Sequence, residues 1–164
     1  MAYLLDSDTL ISAKNDWYRF SFCPAFWDWI LKSNSGGLVF SIEAIEIELK
    51  RGNDNLAAWV RGQASRIFLK PDTNVTNAAA LVSAWVSAQT QFTPAARNEF
   101  FAAADYWLCA HGLAYGYTVV TRERPDPNSR RKVKIPDVCN ALGIAWSSPF
   151  AMLEKESAQF RLSP

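Results

Sequence analysis

Histidine is nearly absent from this 164-residue chain, with His111 its only example. No Ser/His/Asp or Cys/His set is spread over plausible positions, so hydrolysis through an acyl-enzyme has little to stand on. Cysteine is sparse as well. Cys23, Cys109 and Cys139 are odd in number, widely spaced and form no CxxC pair. That argues against a disulfide framework or a zinc site and suits thiols in a reducing cytoplasm. There is no Walker glycine loop and no GxGxxG, which removes the usual cradles for nucleoside triphosphates and dinucleotides. No apolar run approaches the roughly 20 residues of a membrane span. The N-terminus lacks the basic start and apolar stretch of a secretory signal. Neither sign of charge dominates, since 17 basic and 16 acidic residues leave a net charge of +1. The expectation is a cytoplasmic protein with no membrane contact and no generic affinity for polyanions.

What is present reads as one globular domain over residues 1–164. Apolar residues make up 49% and charged residues 20%, enough to build a core without the composition of a disordered chain. Residues 2–5 read as a short apolar strand, with a helix starting at Ser7 or Asp8, where capping types cluster. Residues 14–23 lack a clean period and read as a loop. Pro24 suits the first turn of a helix running through Lys32. Gly36-Gly37 breaks the chain before a strand at 38–40. Ser41 reads as the cap of a helix over 42–50, with Ile42, Ile45 and Leu49 on one face and Glu48 at its edge. A further helix is expected over 55–64, then IFL at 67–69 before a Pro71-Asp72 turn. Helices are expected over 75–89 and over most of 96–112, the latter stopped by Gly112. YTVVT at 117–121 is the strongest strand. A helix near 137–142, a strand at 144–146 and a helix after Pro149 complete the chain. Strands alternating with helices predict an α/β fold, a three-layer α/β/α sandwich with a mostly parallel central sheet.

In such sheets, sites form beyond the carboxyl ends of the strands. In LLDSDTLI (4–11) the first strand runs straight into Asp6, and Glu123 lies two residues past the strand ending at Thr121. Glu48 stands on an early helix. Asp105 interrupts the apolar run FFAAADYWLCA, where a carboxylate is costly unless it is paired, hydrogen-bonded or metal-bound. Four such acids without a His or Cys cluster favour a hard cation, Mg²⁺ or Mn²⁺. The lone His111 fits a cap or a surface position. Arg122, Arg124, Arg130, Arg131, Lys132 and Lys134 crowd one proline-interrupted segment able to hold phosphates. The aromatic stretch from Trp17 to Trp29 suits core filling or an interface better than base stacking.

Several segments resemble the PIN domain superfamily, and more closely the DUF4411 group of PIN-like proteins. They are YLLDSDTLISAKN, FCPAFWDWI, VFSIEAIEIELKRG, AADYWLCAHG, YTVVTRE and KIPDVCNALGI, together spanning residues 3 to about 146. The resemblance implies a metal-dependent nuclease on an α/β/α sandwich, cutting RNA to leave a 5′-phosphate and a 3′-hydroxyl. Many relatives of this kind are toxins of toxin–antitoxin pairs, so it also implies an RNA substrate, an antitoxin partner and a chain able to form a homodimer. Carried over by motif, Asp6, Glu48 and Asp105 would hold Mg²⁺ or Mn²⁺. Glu123 stands where an Asp is usual, with Asp137 able to share its duty and Glu46 or Glu43 able to replace Glu48. Asp8 and Thr121 would support the ligands. Arg122, Arg130, Arg131, Lys132, Lys134, Lys14 and Asn15 would contact substrate phosphates.

Two rival readings stay open on the sequence. LLDSDTL also fits the D-x-D-x-T pattern of haloacid-dehalogenase phosphatases, with Asp6 as nucleophile and Asp8 as general acid. That reading leaves Glu48 and Asp105 without a role. The other rival is a PIN-like fold that binds RNA or protein without cleaving.

Overall fold

The computed structural model describes residues 1–62 and 66–161. Five strands form one sheet: β1 (Tyr3–Leu5), β2 (Val39–Ile42), β3 (Phe68–Leu69), β4 (Thr118–Val120) and β5 (Trp146–Ser147). Their order is β3-β2-β1-β4-β5 and every pairing is parallel. Consecutive residues of a strand face opposite sides of a sheet. All three residues of β1 and of β4 are buried, so both faces are covered, as in the expected three-layer α/β/α sandwich.

The chain runs outward from β1 to β2 to β3, then crosses back to place β4 on the other side of β1. That reversal opens a crevice beyond the carboxyl ends of β1 and β4. The register pairs Leu5 with Val120, so Asp6 and Thr121 leave the sheet side by side.

Nine α-helices lie among the described residues. The first, α1 (Ser7–Ser12), is capped by Asp6 itself, whose carboxylate accepts from the Thr9 amide. The cap is therefore one residue earlier than the Ser7–Thr9 cluster suggested. Residues 13–17 form a π-helical stretch where a loop was expected from Lys14 onward. Helix α2 (Pro24–Ser35) runs three residues beyond Lys32.

Ser41 is not a helix cap. Its hydroxyl donates to the Leu5 carbonyl at 2.8 Å, tying β2 to β1, so the strand continues to Ile42 before α3 (Glu43–Lys50) begins. Helix α4 (Asn55–Gly62) follows; Gln63 and Ala64, also expected to be helical, lie outside the described residues. Helix α5 (Thr73–Ala88) is capped by Asp72.

The segment expected as one helix over 96–112 is two. Helix α6 (Pro94–Ala102) stops at Ala103, whose ψ of 160° is extended, and α7 (Ala104–Tyr115) starts on the next residue. Nor does Gly112 end α7. That part falls to Gly116, whose φ of 67° lies in the left-handed region that glycine tolerates. Gly112 instead lets α7 approach the sheet: a Cβ there would lie 2.9 Å from both Val119 Cγ2 and Ile144 Cγ2. Helix α8 (Ile135–Leu142) starts two residues before the expected Asp137, and β5 is shifted two residues past Ile144. Helix α9 (Pro149–Lys155) closes the ordered elements.

Most of the aromatic stretch is core. Phe20 stacks on Trp27 and Tyr18 on Phe26, at centroid distances of 4.0 and 4.4 Å, while Trp59 packs edge-on to Trp27. Cys109 and Cys139 are buried free thiols and Cys23 is a partly buried one. Among the described residues no helix is long and apolar enough to cross a membrane.

Candidate active site

The crevice at the sheet reversal is a cleft of about 460 Å³. Asp6, Asp8, Asp105 and Glu123 line it together with Arg122, Lys132 and Lys134. Each acid arrives on a different element: Asp6 at the end of β1, Glu123 beyond β4, Asp105 in the first turn of α7.

Asp6 is 3% exposed. Its Oδ1 accepts from the Thr9 amide at 2.6 Å, and hydrogen bonds from the Thr121 and Thr9 side chains also favour its charged form. Burial outweighs them and pushes the carboxyl up to about 6, with the nearby Asp8 charge adding to the rise. Thr121 is fully buried, and its hydroxyl also accepts from the Glu123 amide at 3.1 Å. One hydroxyl thus fixes the spacing between two acids.

Asp105 is the most perturbed carboxyl of the cleft, pushed up to about 7. Burial is the main cause, followed by the negative charges of Glu123 and Asp6, with Glu48 a smaller contribution; Lys132 opposes them. Asp105 therefore lies within the field of the other three acids predicted from the sequence. Glu48 comes in from the side. It does not line the main cleft but a neighbouring depression between α3 and α7, and its Oε1 accepts from the Ala104 amide at 3.1 Å. This bond explains the helix break at Ala103: freed from α6, the α7 amide takes a side-chain cap from α3.

Glu123 is held at both oxygens. Oε2 accepts from the Ile135 amide at 2.8 Å, and Oε1 pairs with Lys132 Nζ at 2.6 Å. The same contact raises the Lys132 ammonium above the ordinary lysine range. Ser7 and Ile135 also line the cleft and were not foreseen. Their only sequence signals are Pro136, which marks a helix start and so a set of free amides, and the position of Ser7 next to Asp6.

The other residues divide. Asp8 sits in the first turn of α1, where Ser12 donates to its Oδ1 at 3.3 Å and Arg122 pairs with its Oδ2 at 3.4 Å. Arg122 also donates to the Ser12 hydroxyl and lies 4.5 Å from the centre of the Trp17 ring. Its guanidinium is thereby pinned at the cleft edge. Lys134 lines the cleft, while Arg124, Arg130 and Arg131 are exposed along the loop. Lys14 pairs with Asp54 at 2.6 Å, and Asn15 is exposed on the π-helical stretch; neither lines the cleft. Asp137 faces a different hollow beside Trp85 and Asn140. Both of its oxygens accept from the Asp126 amide, at 3.1 and 3.0 Å, so it fastens the basic loop. Glu46 is tied to Lys50 at 2.6 Å rather than turned to solvent, and Glu43 lines an apolar hollow on α3. His111, expected as a cap or at the surface, is 2% exposed because α7 continues past it and packs against the sheet.

Among the described residues, no three His, Cys, Asp or Glu side chains close on one point as a ready-made metal cage. The donor set is nonetheless all hard oxygen, and burial together with the neighbouring negative charges pushes the Asp105 carboxyl up to about 7. That is the chemistry a hard divalent cation relieves. The chemistry of these side chains fits such an ion, which Asp6 and Asp105 could hold.

No curated protein matches the sequence. Residues 3–160 match the family described as a domain of unknown function, DUF4411. The match spans all five strands and every acid of the cleft, and the chain belongs to the DUF4411 family.

Proposed function

We propose that this chain is a metal-dependent endoribonuclease of PIN-like type, using Mg²⁺ or Mn²⁺ and acting as the toxin of a toxin–antitoxin pair. The observation that carries the reading is the make-up of one cleft, where Asp6, Asp105 and Glu123 meet Arg122, Lys132 and Lys134 at the reversal of a parallel sheet. The toxin role and the antitoxin partner rest on the resemblance of the sequence.

A hard divalent cation bound there supplies positive charge to a phosphoryl oxygen and lowers the pKa of bound water. Asp6 and Asp105 would hold it, joined by Glu123 and, from the α3 side, Glu48. The remaining residues position these acids or receive the substrate. Thr121 orients Asp6 and fixes the backbone at Glu123. The Ile135 amide keeps one oxygen of Glu123 in place. Lys134 offers its ammonium to a phosphate, and Lys132 can do so on leaving Glu123. Arg122, over the Trp17 ring and tied to Asp8, forms a fixed wall at the edge rather than a mobile phosphate clamp.

A specific observation favours a second reading, a non-catalytic module that binds RNA or protein. Both oxygens of Glu123 are engaged by protein groups. The two readings separate when purified protein is incubated with diverse single-stranded RNAs and Mn²⁺. Cleavage that disappears with EDTA and in Asp105→Asn supports the nuclease. RNA binding without cleavage under any divalent cation supports the module.

A further inference from the structure

The three cations of the cleft are held differently. Arg122 is paired with Asp8, and Lys134 has no ion pair among the described residues. Lys132 alone is paired with an acid of the proposed metal site, its Nζ 2.6 Å from Glu123 Oε1. The other oxygen of Glu123 accepts from the Ile135 amide. These two partners are not equally free to leave. The amide belongs to the first residue of α8 and moves only with that helix. Lys132 carries a compact charge on a flexible four-carbon stem, and its side chain is 49% exposed against 13% for Glu123. It also lines a second hollow, of about 80 Å³, together with Glu99, Phe100 and Asp105. Lys132 and Asp105 thus border both the cleft and this hollow. On the α6 side Glu99, which is exposed, offers the ammonium another carboxylate.

From this geometry we infer that Lys132 and the divalent cation compete for Glu123, so that Glu123 joins the ion only when the ammonium leaves Oε1 for the α6 side. Two positive charges in contact with one carboxylate repel each other, and the tethered one gives way. Lys132 is then a positioning residue: it keeps the charge of Glu123 covered and sets the affinity of the cleft for the ion. The released ammonium becomes available to a substrate phosphate. The inference rests on the metal reading of the cleft and not on cleavage of RNA.

Calorimetric titration of the purified, metal-stripped protein with Mn²⁺, without RNA, tests it. Lys132→Met is expected to tighten Mn²⁺ at least about fivefold, as a competitor is lost. Lys134→Met also removes one positive charge from the cleft, and is expected to tighten Mn²⁺ no more than about twofold because Lys134 occupies no carboxylate. The decisive comparison is a double-mutant cycle, since only a direct coupling makes the two changes non-additive. In a Glu123→Gln background, Lys132→Met is expected to gain no more than about twofold. The competition is overturned if Lys132→Met binds Mn²⁺ less than about fivefold more tightly than wild type, while Mn²⁺ binding by wild type leaves the metal reading standing. It is overturned too if Lys134→Met gains as much, or if the Lys132→Met gain persists in Glu123→Gln, since either result reduces Lys132 to general repulsion. Absence of Mn²⁺ binding in wild type and Lys132→Met alike would remove both the competition and the metal reading.

Discussion

Glu48 Oε1 accepts a hydrogen bond from the backbone amide of Ala104, 56 residues away in sequence and one residue before Asp105. A side chain of α3 thereby sets where α7 begins, and with it the depth at which Asp105 enters the cleft. Glu48→Gln keeps an oxygen able to accept from that amide, whereas Glu48→Ala removes it. We expect Glu48→Ala to lose about 1 kcal/mol of stability, the usual loss for a missing helix cap, and Glu48→Gln to lose less than half of that. Urea unfolding of both variants measures the difference. Equal losses would mean that the cap contributes nothing.

The pH dependence of stability follows from Asp105 and Asp6. Burial, with neighbouring negative charge as a smaller cause, raises both carboxyls in the folded state, to about 7 and about 6. The folded protein therefore holds protons that the unfolded chain releases near pH 4. In the absence of divalent cations, these two groups make stability fall as pH rises from about 4 to about 7, and level off above. Asp105→Asn removes the larger part of that loss. The variant should match wild type near pH 4 and exceed it by roughly 2–4 kcal/mol above pH 7, at about 1.4 kcal/mol for each pH unit by which the carboxyl is raised. Denaturant melts in EDTA at pH 5 and pH 8 provide the comparison; an advantage that does not grow with pH would contradict it.

Asp6 and Asp8 are expected to answer differently to the same change. Asp6 is buried in the acid cluster, while Asp8 is half exposed and occupied by Arg122 and Ser12. Asn at position 8 retains one of the two acceptor oxygens, enough for one of these partners. We expect Asp6→Asn to abolish ribonuclease activity and Asp8→Asn to stay within about tenfold of wild type, short of the 10²–10⁴-fold loss of a general acid. A folded Asp8→Asn that is as inactive as Asp6→Asn, together with phosphate trapped on wild-type Asp6, would point to a phosphatase.

Salt dependence separates the basic residues. Arg130 and Arg131 are exposed on the loop, while Lys132 is joined to Glu123. Converting Arg130 and Arg131 to Gln should reduce the slope of log affinity for RNA against log salt by about 1–2, as fewer counterions are released. Turnover at saturating RNA should change little. An unchanged slope would return both arginines to the solvated surface.

Much of the architecture could be read from local pattern. The β-branched run at 117–121 and the apolar stretch before Asp6 announced the two central strands, and Asp6 and Glu123 at their ends located the cleft. The errors fall where a distant partner overrides local preference. Ala102–Ala104 are strong helix formers, so nothing nearby revealed a break imposed by Glu48 from another helix. Ser41 is a good capping type, but its hydroxyl serves Leu5 across the sheet. Lys14, Lys132 and Arg122 looked like free cations because their partners Asp54, Glu123 and Asp8 are not their helical neighbours. His111 beside a glycine looked like a helix end, whereas Gly112 is there for packing.

Gly112 acts as the fulcrum of α7. It rests so close to Val119 and Ile144 that one methyl group cannot be inserted without displacing the helix or those two side chains. Asp105 lies seven residues earlier on the same rigid rod, roughly 10 Å along its axis at 1.5 Å per residue. A small lift at position 112 would thus swing the distant carboxyl while leaving strand order and core composition untouched. The reach of an acid into the cleft is set, in part, by a side chain that is missing two turns away.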